Sequence, residues 1–135
     1  MAKLEVPIIS IVIGEGSSGG ALAIGVANKI FMLENAIYSI LSPEGYSSIL
    51  WKDSSRFKEA AEKMKLTAHD LYDLKVIDKI IEEPIKMNKE DFIEVSKNIK
   101  YEILNEIATM QKMTKEQIVQ DRYDKFRNIS YFKEI

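Results

Sequence analysis

The chain has 135 residues, 46% hydrophobic and 30% charged, with a formal net charge of -2, no cysteine and one histidine, His69. This is the make-up of a soluble globular domain, long enough to bury roughly two-thirds of its unfolded surface. It excludes disulfides and thiolate metal sites, leaves too few ligands for a protein-only zinc site, and argues against general nucleic-acid binding, which wants a basic face. There is no apolar run near the eighteen or so residues a membrane span needs. The first five residues lack the hydrophobic centre of a signal peptide, so a cytoplasmic location is expected.

In chain order, residues 6–13 are almost wholly β-branched and apolar, which suits a parallel strand covered on both faces, with Pro7 at its start. Then comes Gly14-Glu15-Gly16-Ser17-Ser18-Gly19-Gly20-Ala21, read as a glycine turn. Residues 20–27 read as a short helix with almost no polar side chain, which should be buried. Residues 29–33 and 36–41 read as two strands, separated by Glu34 and Asn35. Ser42, Pro43 and Glu44 form a helix start, with a cap, a proline at the first helical position and an acid in the first turn. A helix follows over 56–65, and Thr67 and Asp70 resemble a capping box for a short helix holding Leu71 and Leu74. Val76-Ile77 and Ile80-Ile81 are short apolar pieces that read as a strand or an extended segment ending before Pro84. Asn88 opens a long helix whose Phe92, Val95, Ile99, Ile103, Ile107 and Met110 make one stripe. Thr114 caps a last helix to about Phe126, mixed in charge and expected to be a solvated outer helix.

Five of the six glycines lie between Gly14 and Gly25. No internal repeat or linker is visible. A glycine turn between strand and helix leaves backbone N–H groups free at the helix start, where they bind an anion or a developing oxyanion. Three readings are open on the residues alone. Gly14, Gly16 and Gly19 satisfy the dinucleotide-binding spacing, and Glu34 falls where a ribose-binding acid would sit. Against it, the next strand from Ala36 leaves too few residues for a parallel crossover. In the second reading, the N–H groups of Gly19 and Gly20 form an oxyanion hole. In the third, the glycines serve only tight turning and close packing.

Other polar and aromatic residues have plain explanations. Glu15 reads as a loop acid or an orienter of the turn, and Ser18 as a helix cap or a hydrogen-bonding group near the hole. Glu44 is a first-turn charge and Trp51 a packing residue. His69 reads as structural or exposed, Tyr38 and Tyr46 as half-buried core positions that line a pocket at most. Tyr131 and Phe132 are candidates for docking on a partner.

The glycine run, together with Ser42-Pro43-Glu44-Gly45, Ile49-Leu50-Trp51-Lys52 and Leu74-Lys75-Val76-Ile77-Asp78, closely resembles the carboxyltransferase alpha subunit family of bacterial acetyl-CoA carboxylase. The resemblance covers residues 6–84 strongly and the helical C-terminus loosely. It implies an α/β, crotonase-like (ClpP/crotonase) spiral of ββα units, here incomplete. Residues 1–85 would be the C-terminal part of the core and residues 86–135 a helical extension. It implies transfer of a carboxyl group from carboxybiotin to acetyl-CoA, giving malonyl-CoA within an ATP-binding complex of fatty acid synthesis. The Gly19 and Gly20 N–H groups would form the catalytic oxyanion hole, with Gly16, Ser17, Ser18 and Ala21 around the substrate, and no metal. No cofactor would be covalently bound, carboxybiotin arriving on a separate carrier protein. The implied partners are the carboxyltransferase beta subunit, in an alpha2beta2 heterotetramer, the biotin carboxyl carrier protein and biotin carboxylase, with neither nucleic acid nor membrane.

Two departures stand out. Ser17 occupies a position that is usually glycine in the family, and would restrict the turn if that position is left-handed. The family's alpha subunit also has a long half before the glycine strand. The expectation is that strand 6–13 lacks sheet neighbours, and that the isolated chain is inactive and associates unless complemented. A non-catalytic assembly piece of the same complex is the alternative.

Overall fold

The computed structural model describes residues 1–129, so Tyr131 and Phe132 lie outside the described residues. The chain runs β1 (Ile9–Val12), β2 (Glu15–Ser17), α1 (Ser18–Ile24), β3 (Lys29–Leu33), β4 (Ile37–Ser39), α2 (Pro43–Trp51), a 3-10 turn (Ser54–Arg56), α3 (Phe57–Met64), α4 (Ala68–Asp73), β5 (Lys79–Ile81), α5 (Lys89–Met110) and α6 (Lys115–Asn128).

Two successive ββα units are present, although the sequence shows no repeat. Their first strands pair in parallel, Ile9 opposite Lys29 through Val12 opposite Met32, and their second strands pair in a separate sheet, Glu15 opposite Ile37 through Ser17 opposite Ser39. β5 then joins the first sheet beside β3, giving the order β1-β3-β5. Because β3 and β4 belong to different sheets, the short link at Glu34 and Asn35 needs no crossover. The objection raised by the crowded strands therefore dissolves into a spiral.

β3 is the centre of the core. Ile30, Phe31, Met32 and Leu33 are buried in succession, as a parallel strand covered on both faces requires, and pack with Ala27, Ala36, Tyr38, Leu71, Ile77, Ile81 and Val95. β1 differs from its expected form. It is shorter, only half-buried, and among the described residues has β3 as a neighbour on one side alone. The expected lack of any sheet neighbour is thus corrected to one free edge. α1 is also corrected: no residue in it is buried, and Ile24 is 66% exposed. The glycine-rich helix rests on β2 and β4 below, and its outer face has no cover among the described residues.

The helix starts follow their capping chemistry. The Gly45 N–H donates to Ser42 Oγ and the Asp70 N–H to Thr67 Oγ1, while Asn88 with Asp91 and Thr114 with Gln117 complete reciprocal capping boxes. Each such cap stabilises its helix by about 1 kcal/mol. On α5, Val95 and Met110 are buried and Ile99 packs on the core, whereas Phe92 is exposed. Val76 and Ile77 are not strand, because the chain turns at Lys75 with φ 58° and pairs again only from Lys79.

The largest correction concerns α6. It is exposed for much of its surface, but Ile118 is buried and Arg122 is 1% exposed. The Arg122 guanidinium donates to the main-chain oxygens of Met1, Ala2, Leu4 and Val6 and to Asn28 Oδ1, at 2.7–3.1 Å. Asn28 in turn accepts from the Ile8 N–H and donates to the Ile118 oxygen and to Asp121. Lys125 pairs with Asp78, which also receives the Ile30 N–H at 2.7 Å. α6 is therefore a polar clasp across the entry to β1 and β3.

Candidate active site

The turn leading into α1 is built differently from a simple strand–turn–helix. Gly14 is followed by β2, and Gly16 lies in register with Tyr38 of β4. Ser17 is extended, with φ -136° and ψ 160°, so serine in place of glycine costs nothing there. Its Oγ lies 3.5 Å from Ser39 Oγ. The left-handed residue is instead Ser18, with φ 67°. Serine tolerates that conformation at a cost on the order of 1 kcal/mol. Replacing Ser18 by glycine is expected to stabilise the chain by about 0.5–1 kcal/mol, read as a higher urea midpoint. An unchanged or lower midpoint would show that the serine conformation carries no strain.

The first turn of α1 is open. Its N-cap residue Ser17 makes no side-chain capping bond, no acidic residue lies in the turn, and Ser18 is helical position N1 rather than a cap. Among the described residues, no side-chain acceptor caps this turn, in contrast to the starts of α2, α4, α5 and α6. Helical geometry also denies the first four N–H groups an internal partner. A Cβ at Gly19 would meet nothing within 4 Å, and one at Gly20 only Ser18 Oγ at 4.0 Å. Two donors without a partner inside the helix thus lie at its positive end, beside Cα positions with open space around them.

Below α1 lies an open cavity of about 410 Å³ lined by residues 10–17 with Ala21, Ile24, Gly25, Ile30 and Tyr38. The structure thus brings Gly16, Ser17 and Ala21 together around one cavity, whereas Ser18, Gly19 and Gly20 do not line it. Glu15 is exposed on β2. Sequence reasoning underrated Tyr38, which is buried; its hydroxyl donates to the Ala21 oxygen at 3.4 Å, and burial raises its pKa above the ordinary value, keeping that proton on. The missed signal was the pairing of one tyrosine with two glycines, since Gly16 and Gly25 both make room for it.

Glu34 is elsewhere. Its carboxylate lies 3.4 Å from His69 Nε2, and the cavities it lines receive nothing from the glycine turn. The ribose-binding role that spacing offered it has no geometry here. His69 is exposed. Tyr46 stacks edge-on against Trp51 at 5.6 Å, and the Arg56 guanidinium covers the Trp51 ring at 4.2 Å, a surface cation–π packing of α2 on the 3-10 turn. Among the described residues no group of three or more His, Asp or Glu is arranged to hold a metal ion, and no helix is long and apolar enough to cross a membrane.

A family model described as "Acetyl co-enzyme A carboxylase carboxyltransferase-like" matches residues 1–130. The chain belongs to the acetyl co-enzyme A carboxylase carboxyltransferase family. It is 56% identical over 126 residues to the carboxyl transferase subunit alpha of Clostridium perfringens, covering 93% of this chain and 46% of that protein. It is 51% identical over 134 residues to the subunit alpha of Staphylococcus haemolyticus, covering 99% and 42%. A relative from Natranaerobius thermophilus, named as subunits beta/alpha, is 53% identical over 134 residues, covering 99% of this chain and 22% of that protein. The chain spans less than half the length of these relatives. Among solved structures it is similar to a chain of a Pseudomonas malonate decarboxylase hetero-tetramer, with TM-score 0.64 at 15% identity over 86% of this chain and 45% of that one. Transcarboxylase 12S is similar at TM-score 0.50 and 18% identity, over 60% of this chain and 18% of that one. At those identities the likeness is one of fold: the carboxyltransferase family member has the crotonase-like spiral that its paired ββα units display.

Proposed function

We propose that this chain is part of the carboxyltransferase of acetyl-CoA carboxylase, and that the first turn of α1 is its oxyanion hole for biotin. The observation that carries the reading is the uncapped first turn of α1, with Gly19 and Gly20 in it and open space where their side chains would be. The N–CO2 bond of carboxybiotin breaks, its electron pair passes into the ureido group, and the negative charge gathers on the ureido oxygen. The two N–H groups stabilise that oxygen as charge develops, without a titrating side chain. The ureido anion then takes a proton from the methyl group of acetyl-CoA, and the resulting carbon nucleophile bonds to CO2 to give malonyl-CoA. Gly16, Ser17, Ser18 and Ala21 shape the approach. Carboxybiotin comes on a separate carrier protein made active by biotin carboxylase, and the acetyl thioester is presented with the beta subunit in an alpha2beta2 assembly. Residues 1–85 are the core portion and residues 86–135 the helical extension, in a cytoplasmic enzyme.

The test is co-purification of this chain with a carboxyltransferase beta subunit and the rest of the alpha spiral, followed by malonyl-CoA formation from carboxybiotin and acetyl-CoA. Transfer that requires this chain supports the reading. Co-purification without transfer would leave a non-catalytic assembly role, which the free edge of β1 and the uncovered face of α1 also favour.

A further inference from the structure

We propose that Tyr38 is a positioning residue, which sets where the first turn of α1 presents its N–H groups. This rests on the oxyanion-hole reading of Gly19 and Gly20. Tyr38 lies on β4 directly opposite Gly16, the residue that leads into Ser17 and Ser18. A Cβ at Gly16 would stand 3.1 Å from Tyr38 Cδ2, so ring and glycine are in direct contact. At the other end of the helix, a Cβ at Gly25 would overlap the Tyr38 hydroxyl, and that hydroxyl donates to the Ala21 oxygen between them. One side chain therefore touches the strand before α1, its middle and its C-cap. Ala21 packs against the core from the middle of the helix, and Ser10 Oγ, donating to the Ile24 oxygen at 2.6 Å, holds only the last turn. A seven-residue helix fixed at its far end by a serine and along its length by one tyrosine takes its tilt from that tyrosine.

The fit is specific in shape. Phenylalanine keeps the ring against Gly16 but leaves space beside Gly25 and frees the Ala21 oxygen. An alanine at Gly25 pushes the hydroxyl, and the ring with it, away from α1. Removing the hydroxyl then removes the obstruction, so the two substitutions should correct each other in part.

The experiment is residue-resolved hydrogen–deuterium exchange on the full chain, comparing wild type, Tyr38→Phe, Gly25→Ala and the double variant, with thermal midpoints recorded for each. Tyr38→Phe is expected to speed exchange of the helix-bonded amides of residues 22–25 by about 3- to 10-fold, through local opening of α1, with the midpoint close to wild type. Gly25→Ala should do the same, and the double variant should exchange more slowly than Gly25→Ala alone. Exchange of the hydrogen-bonded amides of residues 22–25 unchanged in Tyr38→Phe would overturn the proposal, as would an equal rise across β3 and α5, which marks a merely structural role. If Gly25→Ala does not fold, Tyr38→Phe decides. Biotin added to the wild type tests the underlying reading separately: protection at Gly19 and Gly20 upholds the hole. Absence of protection removes the hole, while the variant comparison still decides whether Tyr38 places the turn.

Discussion

Arg122→Ala is expected to destabilise the chain by about 3–5 kcal/mol, the cost typical of breaking a buried charged network. The guanidinium is buried, and its two terminal nitrogens donate to four main-chain oxygens from Met1 to Val6 and to Asn28 Oδ1, while its Nε is buried without a partner among the described residues. Burial lowers its pKa from the ordinary arginine value, and the neighbouring Asp121 carboxylate opposes that. Alanine takes the Arg122 donor from all five acceptors: Met1 O keeps the Leu4 N–H and Asn28 Oδ1 the Ile8 N–H, while the oxygens of Ala2, Leu4 and Val6 lose the donor they share, and an unsatisfied buried acceptor costs about 1–3 kcal/mol unless water reaches it. Since a domain of this size has about 5–15 kcal/mol in total, the loss takes a large share of it. Arg122→Lys should recover only a part, because an ammonium is a point charge and cannot fork across several carbonyls. Chemical denaturation of the two variants checks this. A loss below about 1 kcal/mol for alanine would mean that the N-terminal segment is held by other contacts.

Gly20→Val is the opposite kind of change, expected to spare the fold and remove the chemistry. A side chain at Gly20 meets only Ser18 Oγ, at 4.0 Å, and valine is no worse a helix residue than glycine, so stability should move by about 0.5 kcal/mol or less. The N–H group survives, yet the valine methyl groups occupy the space through which a planar ureido oxygen must approach. Loss of one oxyanion donor costs about 100- to 1000-fold in kcat, and a fall of that order in malonyl-CoA formation is expected in the assembled complex. Gly19→Val should behave alike, since nothing lies within 4 Å of its added Cβ. A full rate with either variant would place the oxyanion elsewhere.

Local rules carried the sequence reading a long way. The caps at Ser42, Thr67, Asn88 and Thr114 are chemistry between residues three apart, and each forms as its spacing requires. The apolar run of β3 announces a buried strand in the same manner. What stayed hidden depends on partners far along the chain. Glu15–Ser17 looks like part of a glycine turn because its strand character comes only from pairing with Ile37–Ser39. Arg122 sits in a mixed-charge helix like any surface arginine, and its five acceptors lie at residues 1–28, four of them main-chain oxygens that no side-chain pattern reveals. The exposure of α1 was misjudged for a related reason: apolar composition says that a surface wants cover, and only tertiary contacts say whether cover is there. At the site, the glycine spacing marks the start of α1, in whose first turn Gly19 and Gly20 lie. The acid at Glu34 was a coincidence of spacing, because β3 carries it to the side of His69.

The central claim is that the first turn of α1 receives the biotin oxygen, and amide exchange at Gly19 and Gly20 measures it most directly. Added biotin should slow exchange at these two amides and leave Glu34 and its neighbours unchanged, while added NAD should slow neither. Unaltered exchange at saturating biotin, or protection by NAD over residues 14–20 and at Glu34, would contradict the account.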